Sequence, residues 1–112
     1  HVFHQPVHAP NFVGSKNVTA KCIEIKNSLL TLNVKDCIII IPSADPGYDW
    51  LFAQGISGLI TMYGGANSHM AIRAAEFDLP SAIGVGPGLY KALVNAATIS
   101  IDPRNQFIRI VS

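Results

Sequence analysis

Charged side chains are scarce in this sequence. Lys, Arg, Asp and Glu together make up 13% of the 112 residues, and the formal net charge is only +1. A nucleic-acid-binding domain presents a basic patch or stripe, so this composition argues against a nucleic-acid partner. So little charge is also unusual on the surface of a free-standing domain, which indicates that part of this surface faces another domain.

Cysteine is also nearly absent. Cys22 and Cys37 are the only two, and neither has the spacing to a further ligand that zinc sites show. Each lies in an apolar, strand-like run, which is typical of a buried free thiol in the reducing cytoplasm, with a disulfide between them as the alternative. The sequence also shows no signal peptide and no apolar run of transmembrane length. We therefore expect a cytoplasmic domain with no membrane partner.

Apolar residues, by contrast, make up 49% of the chain, which excludes a disordered tail and is enough for one domain with a modest core. Three histidines stand among the first ten residues, but Pro6 and Pro10 interrupt the helix that would align them, so no metal site is expected there. We expect residues 1–15 to form a linker or interdomain edge and residues 16–112 to form the domain. Because the chain opens without Met, we interpret it as a fragment of a longer multidomain protein.

Predicted strands and helices follow one another along the chain. Apolar periodicity, capping residues and breakers predict, in order, strands at 18–25, 29–34 and 37–41, a helix at 47–54, a strand at 56–62, a helix at 70–79, a strand at 81–85, a helix at 89–95, and strands at 98–102 and 107–111. The first two strands are predicted to form one hairpin, and the last two strands another. This order predicts an α/β domain with a mixed sheet, in which the hairpins back the central sheet and the helices cover its other face.

Some residues within these elements have more than one interpretation. The continuous apolar run at 37–41 is typical of a central strand buried on both faces, and Pro42 is expected to end it. Tyr48 and Trp50 are either core residues or, if an edge of Trp50 is exposed, contacts to another domain. The glycines that follow the strand at 81–85 lack the companion residues of a nucleotide-binding loop.

Three features of a phosphate site meet just before the second predicted helix. Gly64 and Gly65 let another group approach the main chain closely, and Asn67 and Ser68 are both good N-cap residues. His69 is therefore expected in the first turn of the helix, where free N–H groups and the helix dipole bind anions. The same field disfavours an imidazolium, and a neutral His69 can attack phosphorus. A plain strand-to-helix turn, with His69 only a helix-start residue, is the alternative.

A specific order of residues runs through this region: Thr61, Gly64-Gly65, Ser68-His69, Ala71-Ile72, Ala74, Glu76, Leu79-Pro80 and Ile83-Gly84. Over roughly residues 30–111 the chain resembles the phosphohistidine (swivelling, or mobile) domain of phosphoenolpyruvate-utilising enzymes. That family includes pyruvate phosphate dikinase, phosphoenolpyruvate synthase and the rifampin phosphotransferases. In it, the histidine equivalent to His69 carries a phosphoryl group between two distant active sites.

The resemblance implies an α/β fold, a layered β/β/α swivelling phosphohistidine domain with a mixed sheet. It implies a phosphoryl carrier of a phosphoenolpyruvate synthase/dikinase-like phosphotransferase, which takes the phosphoryl group from ATP or phosphoenolpyruvate and is not a complete enzyme alone. The expected partners are a nucleotide-binding (ATP-grasp-like) domain and an acceptor or phosphoenolpyruvate-binding domain of the parent chain. Magnesium and ATP are expected on the partner domain, with no cofactor or metal bound by this domain itself.

The resemblance also implies roles for the site residues. His69 is the expected catalytic nucleophile, and the expected phosphate-binding residues are Thr61, Gly64, Gly65, Asn67, Ser68 and Arg73. Asn67 stands where the family usually has Thr, and Ala75 stands where it usually has Arg. Arg73 shares a helix face with His69 and Glu76, so it either replaces that arginine or simply pairs with Glu76.

Two alternatives stay open from the residues themselves. Thr61 is either a hydrogen-bond donor to phosphate or a simple strand residue. The whole domain is either a carrier or a non-catalytic docking or regulatory module that keeps the fold, with His69 only at a helix start.

Overall fold

The computed structural model of the chain describes the backbone of Val2–Phe3 and all of residues 10–26 and 33–112. The three histidines near the start and most of the strand predicted at 29–34 lie outside the described residues.

The described residues form eight strands, two α-helices and one 3₁₀ helix. In chain order they are β1 (Val2–Phe3), β2 (Asn11–Val13), β3 (Val18–Glu24), β4 (Ile38–Ser43), the 3₁₀ helix (Pro46–Gln54), β5 (Gly58–Tyr63), α1 (His69–Glu76), β6 (Ser81–Ile83), α2 (Gly86–Val94), β7 (Thr98–Asp102) and β8 (Phe107–Ile110). None of the helices in these ranges is long and apolar enough to cross a membrane. The elements predicted from residue 37 onward are all present, with their ends shifted by up to three residues.

All eight strands form one mixed sheet in the order β1-β8-β7-β3-β4-β5-β6-β2. The four inner strands β3, β4, β5 and β6 pair in parallel, and the remaining pairs are antiparallel. The predicted α/β class and mixed sheet are therefore confirmed. The edge strands β1 and β2 come from the segment 1–15, where no strand was predicted. They were missed because their partners, β8 and β6, lie far along the chain. The predicted domain boundary at residue 16 stays a prediction.

The centre of the sheet is β4, whose isoleucines at 38–41 are completely buried. Because side chains alternate along a strand, Ile39 and Ile41 pack with the 3₁₀ helix and α1, while Ile38 and Ile40 pack with α2, β7 and β8. The prediction that all helices cover one face was therefore wrong. Since β4 is apolar on both sides, each face needs its own cover, and each buried isoleucine contributes about 1.5–3 kcal/mol.

Parallel pairing brings the C-terminal ends of β4 and β5 together. β4 continues past Pro42, where its end was predicted, because Ser43 still pairs with Tyr63 of β5. The Ala44 N–H then donates to the Tyr63 carbonyl at 3.1 Å. The loops that follow both strands therefore start side by side at the edge of the sheet where α/β proteins usually place their sites.

Two glycines bring the loop after β5 against the turn after β6. Gly84 has a φ of +82°, and a Cβ on it would collide with the carbonyl oxygen of Gly64. Gly64 itself has a φ of +138°, and a Cβ there would lie 2.6 Å from the Cβ of Ala44. The N–H groups of Gly84 and Val85 both donate to the Thr61 carbonyl, at 3.1 and 3.0 Å. This close approach fixes the loop that leads into α1.

Gly84→Ala should destabilise the domain, because the new Cβ meets a backbone atom and alanine is strained at a positive φ. We expect a loss of about 2 kcal/mol or more in the free energy of unfolding, measured by urea denaturation. The matched control is Gly88→Ala in α2, where a Cβ meets no atom within 4 Å; that change should be neutral or stabilising by up to about 1 kcal/mol. Equal stability of the two variants would contradict the packing described for Gly84.

Candidate functional site

His69 is the first residue of α1, as predicted. Ser68 precedes it with the extended backbone of an N-cap residue (φ −69°, ψ 158°). Its hydroxyl donates to the Gly65 carbonyl at 2.7 Å and so ties the loop rather than capping the helix. The Ile72 N–H donates to the Ser68 carbonyl at 3.1 Å, so the N–H groups of residues 69–71 precede the first bond of the helix. Those groups, with the helix dipole, favour an anion beside the backbone of His69.

Gly65 leaves the space beside this helix start open. Its φ is not positive, and a Cβ on it would meet no heavy atom within 4 Å. Neither backbone strain nor packing within the described residues therefore requires glycine here. A cavity of about 300 Å³ borders the same loop and is lined by Ser43, Ala44, Asp45, Tyr63, Gly64 and Ser68. The open face suits a small anion such as a phosphoryl group.

Five of the predicted site residues lie together at this junction. They are Gly64, Gly65, Asn67, Ser68 and His69, and Asn67 is exposed in the turn before the helix. Their contact with phosphate stays a prediction.

Thr61 does not present its hydroxyl to this junction. The residue is completely buried, and its Oγ1 donates to the Tyr63 carbonyl (2.9 Å) and accepts from the Gly84 N–H (3.0 Å). A hydroxyl has one proton to donate, so none is left for a phosphoryl oxygen in this arrangement. Of the two interpretations of Thr61, the hydrogen bonds favour a structural role that joins β5 to the turn after β6.

The His69 side chain contacts a carboxylate that the sequence analysis did not identify. Nε2 of His69 lies 2.7 Å from Oδ1 of Asp49, and the two side chains are 37% and 40% exposed. The Nε–H of Arg73 donates to the same Oδ1 at 3.0 Å. The hydrogen bonds from His69 and Arg73 hold the pKa of the Asp49 carboxyl below its ordinary value, so this group is ionised at neutral pH.

Arg73 connects two carboxylates. Its Nη1 donates to Oε1 of Glu76 at 2.8 Å, and its bonds to Glu76 and Asp49 raise the pKa of the guanidinium. The guanidinium also lies over the rings of Phe52 and Phe77, 5.8 and 5.0 Å from their centroids. Pairing with Glu76, one of the two interpretations of Arg73, is thus observed. Binding of phosphate by Arg73 stays a prediction.

Asp49 lies in the 3₁₀ helix, twenty residues before His69, and no local pattern links the two. Only the packing of the 3₁₀ helix against α1 brings them together. Its neighbours are core residues: Tyr48 is buried and its hydroxyl donates to the Lys26 carbonyl at 3.1 Å. Trp50 is half-buried against the same core cluster, and its buried indole N–H has no partner within the described residues.

Both cysteines are free thiols away from the site. The Cys22 thiol donates to the Ala96 carbonyl at 2.9 Å, and the Cys37 thiol donates to the Lys35 carbonyl at 3.5 Å. Across residues 10–26 and 33–112, no group of three or more His, Cys, Asp or Glu side chains is arranged to hold a metal ion.

A protein-family model matches most of the chain. It is described as PEP-utilising enzyme, mobile domain, and it matches residues 33–106. The matched range includes β4, β5, the Gly64-Gly65 loop and the whole of α1. No curated protein matches the chain.

Thr61→Val keeps the shape of the side chain but removes its hydroxyl. The hydroxyl makes two hydrogen bonds, each worth about 0.5–1.5 kcal/mol, so we expect a loss of about 1–3 kcal/mol in the free energy of unfolding. The Tyr63 carbonyl then keeps only the Ala44 N–H, and the Gly84 N–H keeps only the Thr61 carbonyl. Thr61→Ser is the control, since it keeps the hydroxyl and loses only a methyl group, worth about 1 kcal/mol. Denaturant titration compares the two. If Thr61→Val proved no less stable than Thr61→Ser, the structural role of the hydroxyl would be wrong.

Proposed function

This chain belongs to the family of mobile domains of PEP-utilising enzymes, and we propose that it is the phosphoryl-carrier domain of a phosphoenolpyruvate synthase- or dikinase-like phosphotransferase. His69 accepts a phosphoryl group from ATP or phosphoenolpyruvate, and the domain delivers it to an acceptor at a distant site. One observation carries this proposal: His69 is the first residue of α1, next to a loop that Gly65 leaves open.

The proposed transfer begins with attack by a neutral imidazole. A lone pair on the ring forms a bond to phosphorus, while the bond from phosphorus to the donor oxygen breaks and that oxygen leaves with the electron pair. The phosphoryl oxygens are then bound by the N–H groups at the start of α1 and by the backbone around Gly65. Because the His69 side chain is half-exposed, the site is open to solvent until another domain covers it.

The rest of the reaction requires partner sites, which we assign to other domains of the parent protein. A nucleotide-binding (ATP-grasp-like) domain holds ATP and magnesium, and an acceptor or phosphoenolpyruvate-binding domain receives the phosphoryl group. Exposed apolar side chains near the site support docking on such domains: Tyr63, Ile72 and Phe77 are 56%, 50% and 53% exposed. The carrier alternates between the two sites by rigid-body movement.

One observation favours a second function. Oδ1 of Asp49 already holds both Nε2 of His69 and Nε of Arg73. In a non-catalytic docking or regulatory module that keeps the fold, these contacts would simply fasten the 3₁₀ helix to α1. A carrier is phosphorylated on His69 and a non-catalytic module is not, so phosphorylation of His69 distinguishes the two functions.

The parent protein should acquire acid-labile, base-stable phosphate on this domain when it is incubated with phosphoenolpyruvate or with ATP labelled in its β- and γ-phosphates. His69→Gln should abolish the label and leave the fold intact, because the side chain is half-exposed and glutamine is a good helix former. Autoradiography of base-treated protein measures the label, and a melting curve checks the fold. Label that survives in His69→Gln, or no label from either donor in the wild type, would favour the non-catalytic module.

Gly65→Ala should slow phosphorylation of His69 without lowering the stability of the domain. The added methyl group enters open space, so the free energy of unfolding should stay equal or rise by up to about 1 kcal/mol. The methyl group occupies the face offered to the anion, so phosphorylation of His69 should slow at least about tenfold. Gly88→Ala, also in open space but in α2, is the control and should phosphorylate at the wild-type rate. Equal rates in both variants would show that the open face at Gly65 is not used.

A further inference from the structure

Asp49 places one negatively charged oxygen between His69 and Arg73. This oxygen, Oδ1, lies 2.7 Å from Nε2 of His69 and accepts the Nε–H of Arg73 at 3.0 Å. The same two side chains hold the pKa of the Asp49 carboxyl below its ordinary value, so the group is ionised at neutral pH. An ionised carboxylate only accepts hydrogen bonds, so Nε2 carries a proton in this contact. While the contact lasts, Nε2 has no free lone pair with which to attack phosphorus.

A phosphoryl group on this side of the ring would need the space that the carboxylate occupies. A phosphorus atom bonded to Nε2 of His69, with its three oxygens, would fill the region of Oδ1 of Asp49, because that oxygen is in hydrogen-bond contact with the same nitrogen. Phosphoryl and carboxylate oxygens are both anionic acceptors that suit an arginine. The two cannot lie side by side, because like charges at contact distance disfavour each other.

Arg73 has further contacts that keep it in place without Asp49. Its Nη1 donates to Oε1 of Glu76 at 2.8 Å. Its guanidinium lies over the rings of Phe52 and Phe77, which stack with their centroids 5.3 Å apart. The Asp49 side chain, by contrast, is 40% exposed, so rotation about its own bonds carries the carboxylate into water. The carboxylate is therefore the part of this network that can leave, and the arginine is the part that stays.

The 3₁₀ helix explains why one arginine contacts both Asp49 and Phe52. Residues three apart lie on the same side of a 3₁₀ helix, because it has about three residues per turn. Asp49 and Phe52 therefore both point towards Arg73 of α1, while Tyr48 and Leu51, each one position earlier, are both buried in the core. The place of the Asp49 carboxylate thus follows from the type of helix that carries it.

We propose that Asp49 is an internal mimic of the phosphoryl group: its carboxylate blocks His69 in the unphosphorylated protein, and phosphorylation replaces it with a phosphoryl oxygen on the Nε–H of Arg73. This exchange rests on the proposed function, because it requires His69 to carry a phosphoryl group. Asp49 then opposes phosphorylation, and Arg73 holds the phosphorylated form.

The exchange balances in atoms and in charge. When Asp49 turns away, Nε2 releases its proton to water and Nδ1 takes one from water, so the neutral ring has its lone pair on Nε2. That lone pair forms the N–P bond while the bond from phosphorus to the donor atom breaks, and the donor atom leaves with the electron pair. A phosphoryl oxygen then accepts the Nε–H of Arg73, so the arginine exchanges one anionic partner for another.

Phosphoramidate tests the blocking role of Asp49 in the full parent protein. This reagent transfers its phosphoryl group to an imidazole with loss of ammonia, so it needs no nucleotide or phosphoenolpyruvate site. The signal from His69 is the base-stable phosphate that disappears in His69→Gln. Asp49→Asn keeps the shape of the side chain and removes its charge, so we expect phosphorylation about tenfold faster than in the wild type, the effect of one pKa unit.

Glu76→Gln is the matched control for this experiment. It makes the same change at the other carboxylate bound to Arg73, which has no contact with His69 among the described hydrogen bonds. Its rate should stay within about twofold of the wild type, and melting curves check that each variant is folded. Asp49→Ala, which removes the oxygens altogether, should be at least as fast as Asp49→Asn. Variants of Asp49 that react no faster than the wild type, or that take no label, would overturn the blocking role.

Nitrogen NMR of the parent protein labelled with ¹⁵N-arginine tests the exchange at Arg73. The Nε–H signal of Arg73 is the one lost in Arg73→Lys. Phosphorylation by phosphoramidate should shift this signal and give it a coupling to phosphorus across the new hydrogen bond. A pair of Asp49 and Arg73 that only fastens the 3₁₀ helix to α1 would leave the signal unchanged, and that result would overturn the exchange.

The choice of donor keeps this proposal apart from the carrier function. If ATP and phosphoenolpyruvate both fail to label the wild type, the carrier function is refuted. The phosphoramidate rates and the Arg73 signal still decide whether Asp49 blocks His69 and whether Arg73 changes its partner.

Discussion

The hydrogen bonds of Thr61 hold the loop that precedes His69 in place. Its carbonyl accepts from Gly84 and Val85, and its hydroxyl bridges Gly84 and Tyr63 at a position with no exposure to water. These bonds bring the ends of β5 and β6 so close that only glycine fits at Gly84 and in the facing loop. The direction in which the chain then leaves the loop decides where α1 begins. The position of His69 therefore depends on a buried residue whose hydroxyl is bonded to other groups.

The two faces of the sheet support different helices. One half of the β4 isoleucines supports the 3₁₀ helix and α1, which carry Asp49 and His69, and the other half supports α2. The two glycines of the loop also differ: packing requires glycine at Gly64, whereas Gly65 faces open space. The residues near the proposed site lie at the edge of the packed core, where the side chains of His69 and Asp49 are half-exposed and Gly65 faces open space. Such an arrangement suits the proposed carrier role, in which His69 would meet more than one partner domain.

The sequence predicted those parts of the structure that local patterns determine. His69 was placed correctly because the glycines, the N-cap residues and the helix formers are consecutive, and β4 was evident from its unbroken isoleucines. Asp49 was missed because its link to His69 exists only where two helices pack. The strand Asn11–Val13 was also missed, because its partner β6 lies far along the chain. To predict the role of Thr61, one would need to know where its hydroxyl points. To predict which face of the sheet α2 covers, one would need both the alternation of side chains along β4 and the path of the chain.

The position of the first strand has a consequence for how the domain folds. β1 pairs with β8, with Val2 opposite Arg109, so nearly the whole described chain separates the two partners. Contacts of such long sequence separation close the largest loops and are slow to form. A chain emerging from the ribosome can complete the inner parallel strands first, but it can seal the outer edge of β8 only after β8 itself has been made. Until β1 has paired with β8, the edge of β8 is open to pairing with other chains, and the exposed, charged Arg109 on it is a residue type that discourages such pairing.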